Sequence, residues 1–161
     1  MVLLDQLTKV WIRTEFPISG GGIVALRKIS VIDGFFDIVH IENRGAAWGL
    51  LASSEHRQIF FVVVTLIAFV MIANYYRSLR ASERLLAFAL CFIFAGAAGN
   101  FIDRVLYAQV TDFLDFHLQG RHWPAFNVAD ICIVVGVGLF TVHSLFLDER
   151  TSEQANEAPP S

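Results

Sequence analysis

Lysine and cysteine are both scarce in this 161-residue chain, with Lys9 and Lys28 the two lysines and Cys91 and Cys132 the two cysteines. Scarce lysine argues against serine–lysine hydrolysis, since neither ammonium stands at a useful spacing from a serine such as Ser53 or Ser54. The cysteines fall in two different apolar runs, where thiols pack as small hydrophobes, so neither a disulfide framework nor a redox compartment is read from them. HExxH is absent, and His117 and His122, five apart in a loop, read as surface or interface residues rather than zinc ligands. No glycine-rich phosphate loop precedes a helix, no basic stripe is present and the net charge is −3, so no nucleic acid partner is expected. Charge itself is thin: 17% of residues are charged, against 55% hydrophobic and 13% aromatic, and the mean hydropathy is +0.57.

That balance exceeds what a water-soluble core needs and points to lipid as the solvent. Residues 58–76 and 85–102 hold no charged side chain. At about 1.5 Å of rise per residue, each run is long enough to cross a hydrocarbon core as a helix. A third uncharged run, 131–147, reaches full length when started at Phe126, which places Asp130 near the beginning of that helix. Residues 1–12 are apolar on both flanks of Asp5 and Lys9, too short to span, and without the basic region or cleavage site of a signal peptide. They read as the end of a first helix whose beginning is missing, through truncation or a start codon assigned late. Residues 148–161 are polar, include Pro159 and Pro160, and read as a disordered tail. The expectation is one membrane-embedded domain over 1–147, with outer loops at 13–57 and 103–125 and a last helix at 126–147.

Consecutive spans alternate direction, so the helices at 58–76 and 85–102 form a hairpin whose flanking loops share one side of the membrane. The turn between them carries Arg77, Arg80 and Arg84, which the positive-inside rule assigns to the cytoplasm. The opposite loops, with Asp112 and Asp130, then face outward. In the first outer loop, residues 29–32 and 35–41 are rich in β-branched and aromatic side chains around an Asp33-Gly34 turn signal, which predicts a small β element. The stretch from Glu42 through Asn43, Arg44 and Gly45 to Gly49 either lies against an extended peptide or forms a tight turn into the next helix.

A carboxylate at the edge of a bilayer is costly unless paired or used, which makes Asp112 and Asp130 candidate functional residues. Two close carboxylates in a dry site share a proton and can serve as base and acid on one water. Capping, ion coupling and substrate binding are competing readings, and for Asp130 the capping one is specific: Asn127 followed three residues later by an acid resembles a capping box. Asn100 and Arg104 lie one turn apart on one helix face, and Ala95 and Gly99 permit close helix packing. Asp103 reads as a local partner of its neighbour Arg104. If residues 110–116 are extended, Asp112 and Asp115 point to opposite sides and serve different roles, with Asp115 supporting. A small proton-coupled transporter subunit and a structural membrane protein with capping acids remain rivals to an enzyme at this point.

The ordered blocks Asp5-Gln6-Leu7-Thr8-Lys9, Asn43-Arg44-Gly45-Ala46-Ala47-Trp48-Gly49, Gly99-Asn100-Phe101-Ile102-Asp103-Arg104, Val110-Thr111-Asp112-Phe113 and Phe126-Asn127-Val128-Ala129-Asp130 resemble those of bacterial lipoprotein signal peptidase, or signal peptidase II. The resemblance spans most of the chain. It implies an all-α membrane protein, a four-transmembrane-helix bundle with its first helix truncated here and a small extracytoplasmic β element. It further implies an aspartic endopeptidase of the bacterial inner membrane that cuts prolipoproteins before a diacylglyceryl-modified cysteine. In that reading Asp112 and Asp130 are the catalytic dyad. Asn43, Asn100, Arg104 and Asn127 line the site and hold substrate backbone or the dyad, and Asp5 and Lys9 form a polar pair on the first helix. The implied partners are prolipoprotein substrates and membrane lipid, with the active site outside the cytoplasm, the tail inside, no cofactor and a monomeric enzyme.

Overall fold

Residues 1–18, 22–45 and 56–146 are described in a computed structural model of the chain. Ala46 to Gly49 of the second block, Ser53, Ser54 and the tail 148–161 lie outside the described residues. Where the sequence is apolar over long runs the backbone is helical, since a helix satisfies its own polar groups in lipid. The element order is α1 (Val2–Glu15), β1 (Ile29–Ile32), β2 (Phe36–Asn43), α2 (Arg57–Ser78), α3 (Arg84–Tyr107), β3 (Val110–Leu118), β4 (Arg121–His122) and α4 (Val128–Phe146). Three segments, Arg57–Ser78, Arg84–Tyr107 and Val128–Leu145, are long and apolar enough to cross a membrane. None of the side chains of α2 is buried within the protein, as expected of a helix whose apolar surface faces lipid.

Helix α3 continues past the uncharged run to Tyr107 because the charges that follow do not face lipid. Asp103 is fully buried against α1, and the Arg104 guanidinium lies 4.8 Å above the Phe61 ring of α2. The helix ends at Ala108, which takes a left-handed conformation (φ 59°) while its N–H bonds the Arg104 carbonyl. Helices α3 and α4 approach closely at Gly96 and Gly136, and Gly99, expected by spacing together with Ala95, faces both α1 and α4. A Cβ on Gly96 would strike the Ala129 carbonyl, and one on Gly99 would strike the Asp5 carboxylate. Backbone approach this close is why small residues occupy these positions.

The four strands form one antiparallel sheet in the order β1-β2-β3-β4. The β1–β2 hairpin turns through Asp33-Gly34 as its sequence predicts, with a Phe35 N–H to Ile32 carbonyl bond of 3.0 Å. β2 pairs along β3 from Phe36 opposite Phe116 to Asn43 opposite Val110, which brings Ile41 opposite Asp112. The span read as an outer loop from 103 to 125 is therefore the end of α3 followed by a second hairpin. Its two-residue turn, Gln119-Gly120, has φ of 51° and 76°, the left-handed pair that matches strand twist. Beneath the sheet, Ile12 and Phe16 of α1 pack with Ala25 and Phe113, fixing the end of α1 against β3.

Candidate active site

Asp5, Lys9 and Arg13 recur every fourth residue on one face of α1, and that face meets α3, α4 and β3 in turn. Asp5 Oδ1 accepts the Ala129 N–H at 2.8 Å, and Lys9 Nζ lies 3.0 Å from Asp5 Oδ2, 3.3 Å from Asp103 Oδ2 and 3.0 Å from Asn100 Oδ1. Lys9 is fully buried. Arg13 donates to Thr111 Oγ1 at 2.9 Å, approaches Asp103 Oδ1 at 3.5 Å and covers the Tyr107 ring at 4.4 Å. Asp103 also accepts the Thr111 N–H at 3.0 Å. Its partners are thus Gln6, Lys9, Arg13 and Thr111 rather than the adjacent Arg104, because neighbours on a helix point about 100° apart.

Asp112 enters from β3 and Asp130 from the first turn of α4, and four side-chain and backbone N–H groups bind them. Asn127 Nδ2 donates to Asp112 Oδ1 at 2.7 Å and Asn43 Nδ2 donates to Asp112 Oδ2 at 2.9 Å. Asn100 Nδ2 donates to Asp130 Oδ1 at 2.8 Å, and the Asn127 N–H to Asp130 Oδ2 at 3.1 Å. Asn127 Nδ2 reaches Asn100 Oδ1 at 3.2 Å as well, so the Asn127 and Asn100 amides in series link the two carboxylates. Arg104 bonds the Asn100 carbonyl at 3.3 Å and shares the cleft with Asn43, Asn100, Asp112 and Asp130.

The cleft has a volume of about 940 Å³. Its lining combines the two acids, Asn43 and Arg104 with Ile131, Val134 and Val135 on α4, within a membrane-crossing segment. Trp123, 64% exposed, and Pro124 stand at the lip. Burial pushes the Asp112 carboxyl up to about 7, and the negative charge of Asp130 adds to the rise; the Asn43 and Asn127 amides and the Lys9 charge oppose it. One carboxyl that keeps its proton near neutrality beside a second carboxylate can supply the acid and base of a hydrolysis.

Comparison with known proteins identifies the architecture. The family model for signal peptidase (SPase) II matches residues 1–146. The chain belongs to the signal peptidase II family. It is 41% identical over 155 residues to the lipoprotein signal peptidase of Geobacter metallireducens, covering 96% of this chain and 91% of that one. To the corresponding protein of Desulforapulum autotrophicum it is 44% identical over 148 residues, or 91% and 87% of the two chains. A solved bacterial membrane enzyme superimposes with a TM-score of 0.77 at 32% identity, over 99% of this chain and 88% of that chain. The signal peptidase II family is one of aspartic-type proteases, and the transporter reading of the two acids finds no support in these matches.

Sequence reasoning left Gln6, Arg13 and Thr111 without roles. Gln6 Nε2 bridges Asp5 Oδ2 and the Gly99 carbonyl, each at 3.1 Å. The recurrence of Asp5, Lys9 and Arg13 at every fourth residue was the available signal for Arg13. Asp115 stands apart from the dyad: it pairs with His122 at 2.9 Å, while Asp37, opposite it in register, holds Lys28 at 2.6 Å and His117 at 3.2 Å. His117 and His122 stack across the β3–β4 hairpin with 4.8 Å between ring centroids.

Proposed function

We propose that Asp112 and Asp130 are the catalytic dyad of a membrane aspartic endopeptidase that removes signal peptides from prolipoproteins, cutting before the diacylglyceryl-modified cysteine. The observation that carries this reading is the shared cleft, where two amide-bound carboxylates stand beside apolar side chains of the membrane-crossing segment of α4. Asn43, Asn100, Arg104 and Asn127 hold the dyad and substrate backbone, and Asp5 with Lys9 braces them from α1. In the reaction the ionised aspartate takes a proton from a water between the pair. The water attacks the scissile carbonyl as the protonated partner gives its proton to the carbonyl oxygen. The first aspartate then passes the proton taken from water to the leaving amine, while its partner recovers a proton from the gem-diol as the C–N bond breaks. The raised carboxyl of Asp112 supports that residue as the initial proton holder.

The diacylglyceryl chains lie along the apolar wall of α4, within the bilayer, so binding desolvates no charge. The enzyme works as a monomer in the bacterial inner membrane, a four-helix bundle in which the shorter first helix, α1, packs beside the three membrane-crossing segments. The sheet lies on the extracytoplasmic side, opposite the arginine-rich α2–α3 turn. The test incubates purified protein with a diacylglyceryl-modified precursor and with the same precursor unlipidated. Cleavage before the cysteine, confined to the lipidated form and lost in Asp112→Asn and Asp130→Asn, is expected; robust turnover by either variant would overturn the dyad.

A further inference from the structure

This inference rests on Asp112 and Asp130 being the reacting pair. Three asparagine amides surround them, and all three turn nitrogen toward a carboxylate: Asn43 and Asn127 toward Asp112, Asn100 toward Asp130. An amide rotated by half a turn presents oxygen instead and accepts a hydrogen bond from a protonated carboxyl. Groups that can only donate prevent that rotation at all three sites, the backbone N–H of Gly45 holding Asn43 Oδ1 at 3.0 Å. The backbone N–H of Asp130 points at Asn127 Oδ1 at 3.0 Å. The Lys9 ammonium, with three hydrogens and no acceptor, points at Asn100 Oδ1 at 3.0 Å. Since Asn100 Oδ1 also receives Asn127 Nδ2, the oxygen of Asn100 is a common acceptor, and its –NH₂ is left to face Asp130.

We propose that Lys9 is a positioning residue that sets the hydrogen-bond polarity of the dyad. By holding the Asn100 oxygen, it directs amide hydrogens onto both carboxylates, so their shared proton is kept between Asp112 and Asp130 on the cleft side. There a water or a peptide bond can take it up. Lys9 suits this task because its charge is itself held, by Asp5 at 3.0 Å and Asp103 at 3.3 Å, and its Nζ is shielded from solvent. The other cations nearby act elsewhere: Arg104 bonds the Asn100 backbone carbonyl, and Arg13 bonds Asp103 and Thr111. Among the described residues, Lys9 and Asn127 are the donors to the Asn100 side-chain oxygen.

The test measures cleavage of a lipidated precursor across pH for wild type, Lys9→Met, and Lys9→Met/Asp5→Asn. The double variant removes both charges of the pair while leaving an acceptor for the Ala129 N–H, and it carries the test if the single variant does not fold. The expected result is a kcat lowered by about 10- to 100-fold with KM changed less than about threefold, in the range that acid–base positioning supplies. The alkaline limb should rise by about one pH unit or more, as a protonated carboxyl donates to the freed Asn100 oxygen. Repeating Lys9→Met in an Asn100→Leu background separates polarity from charge, because there only the direct effect of the Lys9 charge remains and the limb should move less than it does with the Asn100 amide in place. An equal limb shift with and without the Asn100 amide would show Lys9 acting through its charge alone and overturn the proposal. So would a lowered melting temperature with kcat and limb unchanged. Absence of cleavage by wild type would instead strike the peptidase reading itself.

Discussion

Asn127 and Asp130 exchange two hydrogen bonds: Asn127 Oδ1 accepts the Asp130 N–H at 3.0 Å, and Asp130 Oδ2 accepts the Asn127 N–H at 3.1 Å. This is the reciprocal geometry of a capping box at the start of α4. The same two residues also belong to the dyad assembly, through Asn127 Nδ2 to Asp112 and Asp130 Oδ1 from Asn100. Capping and chemistry therefore do not compete here. The cap fixes where the Asp130 carboxylate points, and the remaining oxygen faces its Asn100 donor.

Asn127→Ser tests that division. Serine caps as well as asparagine but has no amide hydrogens for Asp112 and Asn100. Stability should fall by only about 1–2 kcal/mol, chiefly for the small cavity left in a buried site. Turnover should fall by about 100-fold, the scale of misplacing an acid–base group. Thermal melts beside cleavage rates check it, and parallel loss of both would mean that Asn127 only caps.

The elevated Asp112 carboxyl predicts a pH signature in stability. With a folded value near 7 against an unfolded value of 3.8, the native state binds the extra proton between about pH 4 and 7, so stability declines as pH rises through that window. From pH 5 to 8 this group alone accounts for about 3 kcal/mol of lost stability. Asp112→Asn removes the titration, and its melting temperature should decline correspondingly less than wild type over the same range. Parallel slopes for the two proteins would contradict the burial argument.

Activity should follow the same proton. If Asp112 holds the proton at neutrality, loss of that proton removes the acid, and kcat should fall above about pH 7. The acid limb reports the other proton of the pair, and both limbs are apparent values of the dyad as a unit. A rate–pH profile in detergent micelles checks this, and a profile flat from pH 6 to 9 would exclude a dyad that works this way.

Much of this site could be read in the sequence because its residues are polar where lipid forbids idle polarity. Asp112, Asp130, Asn100, Arg104 and Asn127 all stand out against apolar surroundings, and the Asp33-Gly34 pair announces its hairpin. What escaped depended on long-range contact. Asp103 has an arginine beside it in sequence, yet its partners are Gln6, Lys9 and Arg13 from α1 and the Thr111 N–H from β3. The β3–β4 hairpin turns on Gln119-Gly120, whose first residue carries no strong turn preference. β3 itself is held by pairing with β2, about seventy residues earlier in the chain. Gly99 was legible by its spacing, whereas the close contacts of α3 with α4 at Gly96 and Gly136 depend on Ala129, Ile133, Ala89 and Ile93 across the interface.

Gly99 joins packing to the site most directly, and its substitution is a stringent check. A Cβ there would press on the Asp5 carboxylate and lie 3.0 Å from the Ala129 Cβ. Asp5 cannot retreat without releasing Lys9 and the Ala129 N–H, since it holds both. Gly99→Ala should therefore destabilise the protein by about 1–3 kcal/mol, the usual cost of overpacking a tight contact, despite the better helix propensity of alanine. Displacing Asp5 also moves Lys9, and with it Asn100, so turnover should drop further than the melting temperature alone would imply. Gly138, where a Cβ would meet nothing within 4 Å, is the matched control, and Gly138→Ala should leave both measurements near wild type. Equal effects at the two glycines would mean that helix propensity, rather than the α1–α3–α4 contact, decides the outcome.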